Sequence, residues 1–158
     1  MEIVRIAAGN FLYHVVGVMP FDESGLLDFG DALLREAYIS GMPVSGALQL
    51  HYRFNQPVGK PDELHIALPV RSFAHDYDGL FHLKRTDAFC CITDVVHGNA
   101  SGFDERWQKL ERCAGMLHLE SGNGYREILA STEYGQNSGL RILQLEVYGV
   151  GLREVDFP

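Results

Sequence analysis

Gly124-Tyr125-Arg126-Glu127-Ile128-Leu129-Ala130-Ser131 is the stretch from which the rest of the chain can be read. It follows the turn-prone Ser121-Gly122-Asn123-Gly124 and alternates as a strand does. Tyr125, Glu127 and Leu129 share one face, and Arg126, Ile128 and Ala130 the other. A carboxylate between an aromatic and an aliphatic neighbour, on a strand that a small domain must half bury, needs a partner. Its own face of the strand supplies no positive charge. Glu127 therefore reads as the counter-charge for a cation from outside, unless it is a solvated surface carboxylate or Arg126 or Arg141 pairs with it within the chain.

Outward from this strand, a turn from Tyr134 to Gly139 leads to a last strand from Leu140 to Val150. On the other side, Phe103, Trp107, Leu110, Ala114 and Leu117 form one apolar helical stripe, with Glu105, Arg106, Lys109, Glu111 and Arg112 elsewhere on the helix. Ser101 caps that helix and Asp104 completes a capping-box pattern. Phe81 to Val96 reads as the strand before it. The first half has the same order. Strand material from Ile3 to Pro20, broken near Gly9-Asn10 and Gly17, precedes a helix that starts at Asp22-Glu23-Ser24 and places Leu26, Phe29, Leu33 and Ala37 on one side. Gly41 and Pro43 end that helix. Strands follow at Ala47 to Asn55 and at Leu64 to Val70, separated by a turn over 56–61.

Ser24-Gly25-Leu26 corresponds to Ser101-Gly102-Phe103, and Gly46 to Gly124, both pairs about half the chain apart. The reading is a single domain over 1–158 built from two strand–helix–strand–strand units, about 3–71 and about 80–150. The fold class is α+β: an antiparallel sheet system with two long helices and a central ligand cleft on a pseudo-twofold axis.

Composition narrows the function. The chain has 158 residues, 46% hydrophobic and 22% charged, enough for one sizeable core. Its net charge is -8 and no Lys/Arg run exceeds Lys84-Arg85, which argues against direct nucleic acid binding or an anionic membrane surface. Acidity favours cationic small molecules or basic protein partners. Cys90, Cys91 and Cys113 are odd in number and include an adjacent pair, so they read as reduced thiols of a cytoplasmic protein, with no disulfide framework. No signal peptide and no run long enough to span a membrane is visible. His75, Asp76, Asp78 and His82 lack metal-ligand spacing, and neither a phosphate loop nor a nucleophile elbow occurs, so no metal or cofactor is expected.

Tyr125-Arg126-Glu127-Ile128, Gly46-Ala47-Leu48 with Tyr52, Leu68-Pro69-Val70 and His97-Gly98 carry a resemblance. With them the chain resembles, from about Ile3 to about Val150, the GyrI-like small-molecule-binding domains, the effector-binding module also attached to AraC-type and MerR-type transcription regulators. The resemblance implies a pseudo-symmetric sheet with a central aromatic pocket, in which a buried glutamate on the penultimate strand meets cationic lipophilic compounds. Glu127 is the matching position. The ending Glu146-Val147-Tyr148-Gly149-Val150 departs from the family's pattern and leaves the register of the last strand open.

On this reading Glu127, Tyr125 and Leu129 line the ligand site. Trp107 and Phe103 are either its aromatic walls or plain core. Gln49 and His51, the first-repeat counterparts of Glu127 and Leu129 by offset, either face it across the axis or lie on an exposed strand face. The chain has no room for a helix-turn-helix, so the resemblance implies a stand-alone effector-binding or drug-sequestering protein, acting on transcription only through a separate regulatory protein. Two alternatives come with the family: hydrolysis of reactive electrophiles, with Glu127 as general base and Tyr125 or Trp107 as positioning group, and a protein-inhibitor role of the gyrase-inhibitor type.

Overall fold

The computed structural model describes residues 1–17, 23–54, 63–97, 103–130 and 139–149. In chain order they form β1 (Glu2–Ile6), β2 (Gly9–Gly17), α1 (Glu23–Ser40), β3 (Gln49–Arg53), β4 (Glu63–Val70), β5 (His82–Thr86), β6 (Phe89–His97), α2 (Phe103–Met116), β7 (Glu120–Leu129) and β8 (Leu140–Tyr148). The class is α+β, as expected. The helix starts at Asp22 and Ser101, the turn over 56–61 and most of the turn from Tyr134 lie outside the described residues.

The apolar spacing of both helices explains where they sit. α1 buries Leu26, Leu33 and Ala37, and α2 buries Trp107, Leu110 and Ala114. Both cover one face of the sheet, whose side chains Leu12, Leu50, Leu64, Ile66, Leu68, Ile92, Leu143 and Leu145 complete the core. Each such side chain, fully buried, stabilises the fold by roughly 1.5–3 kcal/mol. α1 ends as the sequence predicts: Gly41 takes φ 73° and the Met42 N–H donates to the Ala37 carbonyl at 2.9 Å. Leu117, expected on the α2 stripe, lies past the helix end and is half exposed. No helix among the described residues is long and apolar enough to cross a membrane.

The eight strands form one antiparallel sheet in the order β1-β6-β8-β7-β3-β4-β2-β5. The expected strand from Phe81 to Val96 is two strands, parted at Asp87-Ala88, because its pieces have different neighbours. β5 pairs with β2, while β6 pairs with β1 and β8. The first half's β1 thus borders the second half's β6, and the second half's β5 borders the first half's β2.

Ser121-Gly122-Asn123-Gly124, expected as a turn, belongs to β7. Ser121 pairs with Val147 and Tyr125 with Leu145, so β7 advances four residues where β8 advances two, a bulge. Close approach favours glycine there: a Cβ on Gly122 would lie 2.8 Å from the Tyr148 ring and 2.9 Å from Glu146, and one on Gly124 would displace Glu146 Oε2, 2.8 Å away. Beyond the bulge the last strand's register is defined, with Glu127 opposite Leu143 on one side and Leu50 of β3 on the other. The sheet face without helices is concave. Phe11 of β2 reaches Arg126 of β7 although β3 and β4 lie between them in the sheet.

Candidate functional site

β7 places Tyr125 and Glu127 side by side on the helix-covered face, at the seam with β3 where the two halves of the chain meet. Glu127 is 0% exposed, and all its acceptor positions are filled. Arg106 of α2 donates twice, from Nε to Oε2 at 2.9 Å and from NH2 to Oε1 at 3.1 Å. Arg141 of β8 donates to Oε1 at 2.8 Å, and the Tyr125 hydroxyl donates to Oε2 at 2.5 Å. Arg106 is 5% exposed and the Arg141 side chain 11%.

This corrects the premise that Glu127 awaits a cation. Its own face of β7 holds none, but the next strand and the covering helix each bring a guanidinium. Of the partners weighed from the sequence, Arg141 pairs with it. Arg126 cannot, because adjacent strand residues point to opposite faces. Burial works to lower the Arg106 pKa, but the hydrogen bonds and charge of Glu127 outweigh it and hold it above its usual value. Burial, then the Glu127 charge beside it, pushes the Tyr125 phenol well above 10, so it stays protonated and keeps donating. With two guanidiniums on one carboxylate the cluster carries a formal +1. As packed, Glu127 offers no lone pair to a water, so it is not set up as a general base.

The Tyr125 and Tyr52 rings flank the cluster. Tyr52 of β3 faces Tyr125, ring centroids 5.5 Å apart, and Trp107 stacks on Phe54 at 5.0 Å with an interplanar angle of 14°. Trp107 is buried in the hydrophobic core. Leu129 is half-buried on Glu127's face at the end of β7, opposite Arg141. Phe103 begins α2, and its side chain lies outside the described residues. Gln49 and His51 are on the concave face, behind the sheet from Glu127, where His51 Nε2 and Gln49 Oε1 are 2.8 Å apart. The β3 residues on Glu127's side are Leu50 and Tyr52. Counting a repeat by a fixed offset fails here because a shift of one residue moves a strand position to the other face.

Arg106 is the residue that sequence reasoning missed. It was grouped with the polar side of α2, yet it lies three positions after Phe103 and four before Leu110, on the flank of the apolar stripe. That spacing was the available signal.

An eight-stranded antiparallel sheet covered by two helices is, by its structural neighbours, a GyrI-like fold. The crystal structure of the EcmrR C-terminal domain matches with a TM-score of 0.78 at 13% identity, covering 94% of this chain and 97% of that one. Against the EcmrR chain in a DNA complex the match covers 57% of that chain. A hydrolase from Listeria innocua matches at 0.63 and 15% identity, covering 93% and 91%. SAV2435 bound to tetraphenylphosphonium matches at 0.52 and 10% identity, covering 96% and 95%. At these identities the likeness is one of fold. No family model and no curated protein matches the sequence.

Proposed function

We propose that this chain is a small-molecule-binding domain that takes amphipathic cations at the Glu127 cluster, and that Arg106 is the resident cation a ligand displaces. One observation carries the reading: the buried carboxylate already holds a planar, delocalised cation, delivered by a helix and flanked by aromatic rings. Arg106 is tethered to α2, so movement of that helix would vacate the site. Guanidinium and lipophilic cation then compete for one counter-charge, with Trp107, Tyr52 and Tyr125 offering π faces to either. The complex of SAV2435 with tetraphenylphosphonium supports the ligand class on a shared fold.

The single-domain, pseudo-twofold arrangement with a cleft at the β3–β7 seam belongs to the same proposal. Its support is the strand order: from each edge inward the sheet runs β1-β6-β8-β7 and β5-β2-β4-β3, a short strand, the pre-helix strand, the unit's last strand and the post-helix strand. Hydrolysis through Glu127 is the weaker reading, because Arg106 and the Tyr125 proton occupy the positions a water would need.

Titration with tetraphenylphosphonium, followed by Trp107 fluorescence, tests the proposal on wild type and Arg106→Met. Removing the competitor leaves Glu127 neutralised by Arg141 alone, and affinity should rise roughly tenfold or more, the worth of one charged hydrogen bond. Saturable binding that Arg106→Met leaves unchanged or weakens would show that Arg106 does not compete. No binding to either protein would remove the cationic ligand.

A further inference from the structure

The concave face holds chemistry that the Glu127 cluster does not use. Between β3, β5, β7 and β8 it opens into a cavity of about 460 Å³ whose wall includes Arg53, Lys84, Arg126 and Glu146. Arg126 is clasped between two rings, its guanidinium carbon 5.4 Å from the Phe11 centroid and 4.5 Å from that of Phe89. Lys84 Nζ lies 4.8 Å from the Tyr13 centroid and donates to His65 Nδ1 at 2.8 Å, while His65 Nε2 donates to Glu63 at 2.5 Å. That relay fixes the ammonium in place and uses one of its three donors.

Neither Lys84 nor Arg126 forms an ion pair among the described residues. Both are half-buried, and charges even partly withdrawn from water are ordinarily paired, because desolvation is otherwise uncompensated. Glu146, the carboxylate in the cavity wall, accepts instead from the Tyr148 hydroxyl. A protein with a net charge of -8 has thus gathered cations into one concavity and given two of them no ion pair among the described residues. Self-packing does not account for this, since aromatic faces satisfy a guanidinium's plane but not its N–H edge, and that edge matches carboxylate and phosphate oxygens.

We propose that the concave cavity is a second ligand site, which binds a small organic oxyanion, a carboxylate or a phosphate monoester, between Lys84 and Arg126. It lies on the opposite side of the sheet from Glu127 and takes ligands of opposite charge. Burial, then the nearby Arg126, pulls the Lys84 pKa down to about 7, and burial lowers that of Arg126 to about 10; the charge of Glu63 on Lys84 and that of Glu146 on Arg126 only partly offset this. Lys84 faces Glu63 and His65 of β4, Tyr13 of β2, His51 and Arg53 of β3, Arg126 of β7, and Glu146 and Tyr148 of β8. Burial lowers the pKa of both histidines, so neither adds a charge at neutral pH. Anion affinity should therefore fall as pH rises through 7 and Lys84 loses its proton.

The test is isothermal titration of the full chain with benzoate, phenyl phosphate and inorganic phosphate at low salt. The variants are Arg126→Gln, Lys84→Met and the exposed-cation control Lys109→Met, each checked for native circular dichroism. At least one probe should bind at one site per chain, and comparing benzoate with phenyl phosphate tells carboxylate from phosphate. Arg126→Gln and Lys84→Met should each weaken it about tenfold or more, with Lys109→Met close to wild type. For benzoate, ionised throughout this range, the decline should move to higher pH in Arg126→Gln, which removes a charge that lowers the Lys84 pKa, and vanish in Lys84→Met. The proposal is overturned if no probe binds saturably, or if binding survives both cavity variants undiminished. Should Arg126→Gln fail to fold, Lys84→Met with its pH profile decides.

Discussion

Replacing Glu127 by Gln probes the centre of the molecule. The carboxylate accepts four hydrogen bonds, three of them from guanidinium groups of two arginines. Gln keeps one acceptor oxygen, replaces the other by an amide that can only donate, and removes the charge. Two nearly buried guanidiniums then lose the carboxylate they share. Removing one partner of a buried ion pair typically costs about 3–5 kcal/mol. That is a large share of the roughly 5–15 kcal/mol that stabilises an ordinary domain. For a chain of this length it corresponds to a drop in Tm of roughly 6–20 °C. Urea unfolding followed by Trp107, the chain's one tryptophan and the neighbour of Arg106, measures it. Arg106→Met should cost less, since Glu127–Arg141 remains a neutral pair, and the double variant should cost less than the sum of the two. A Glu127→Gln protein within about 1 kcal/mol of wild type would refute the reasoning, because only exposed pairs are worth so little.

Lys84 gives a pH-dependent prediction. Its folded pKa of about 7 lies below its usual value, so above pH 7 the unfolded chain binds the proton and the folded chain does not. Wild-type stability should gain up to about 1.4 kcal/mol per pH unit from this group between pH 7 and about 10. Lys84→Met should be the more stable protein at pH 6.5 and lose most of that advantage by pH 9; parallel urea midpoints at the two pH values would contradict this. Cys91 is buried, and burial pushes its thiol up to about 12. Iodoacetamide at pH 8 should leave it unlabelled in the native protein while reaching the less buried Cys113, by peptide mass spectrometry; equal labelling rates would refute the assignment.

The alternation around Glu127, the helical stripes and the Gly41 cap were legible because each is written in local periodicity, and local geometry decides them. The β5–β6 break was not legible. Strand-like composition runs through Phe81 to Val96, and what parts it is the identity of distant partners, which no local pattern carries. The bulge was misread for a related reason: Ser121-Gly122-Asn123-Gly124 has turn composition, but its glycines serve close packing against Glu146 and Tyr148. The site was half legible. A buried carboxylate was inferred correctly, whereas its neutralisation depends on Arg106, whose place on the edge of a stripe reads as polar in a one-letter pattern. Arg126 and Lys84 were seen as ordinary charges because the concavity that isolates them exists only once the sheet curves.

The exchanged edge strands bear on how the chain must fold. Because β1 closes the second half and β5 the first, neither half has a finished sheet edge until the other is present. Long-range pairing of this kind must be assembled before it stabilises anything, which sets a slow, all-or-none transition. A chain nicked in the connection between β4 and β5 should therefore hold together as a complemented pair of fragments, each the template for the other's outermost strand.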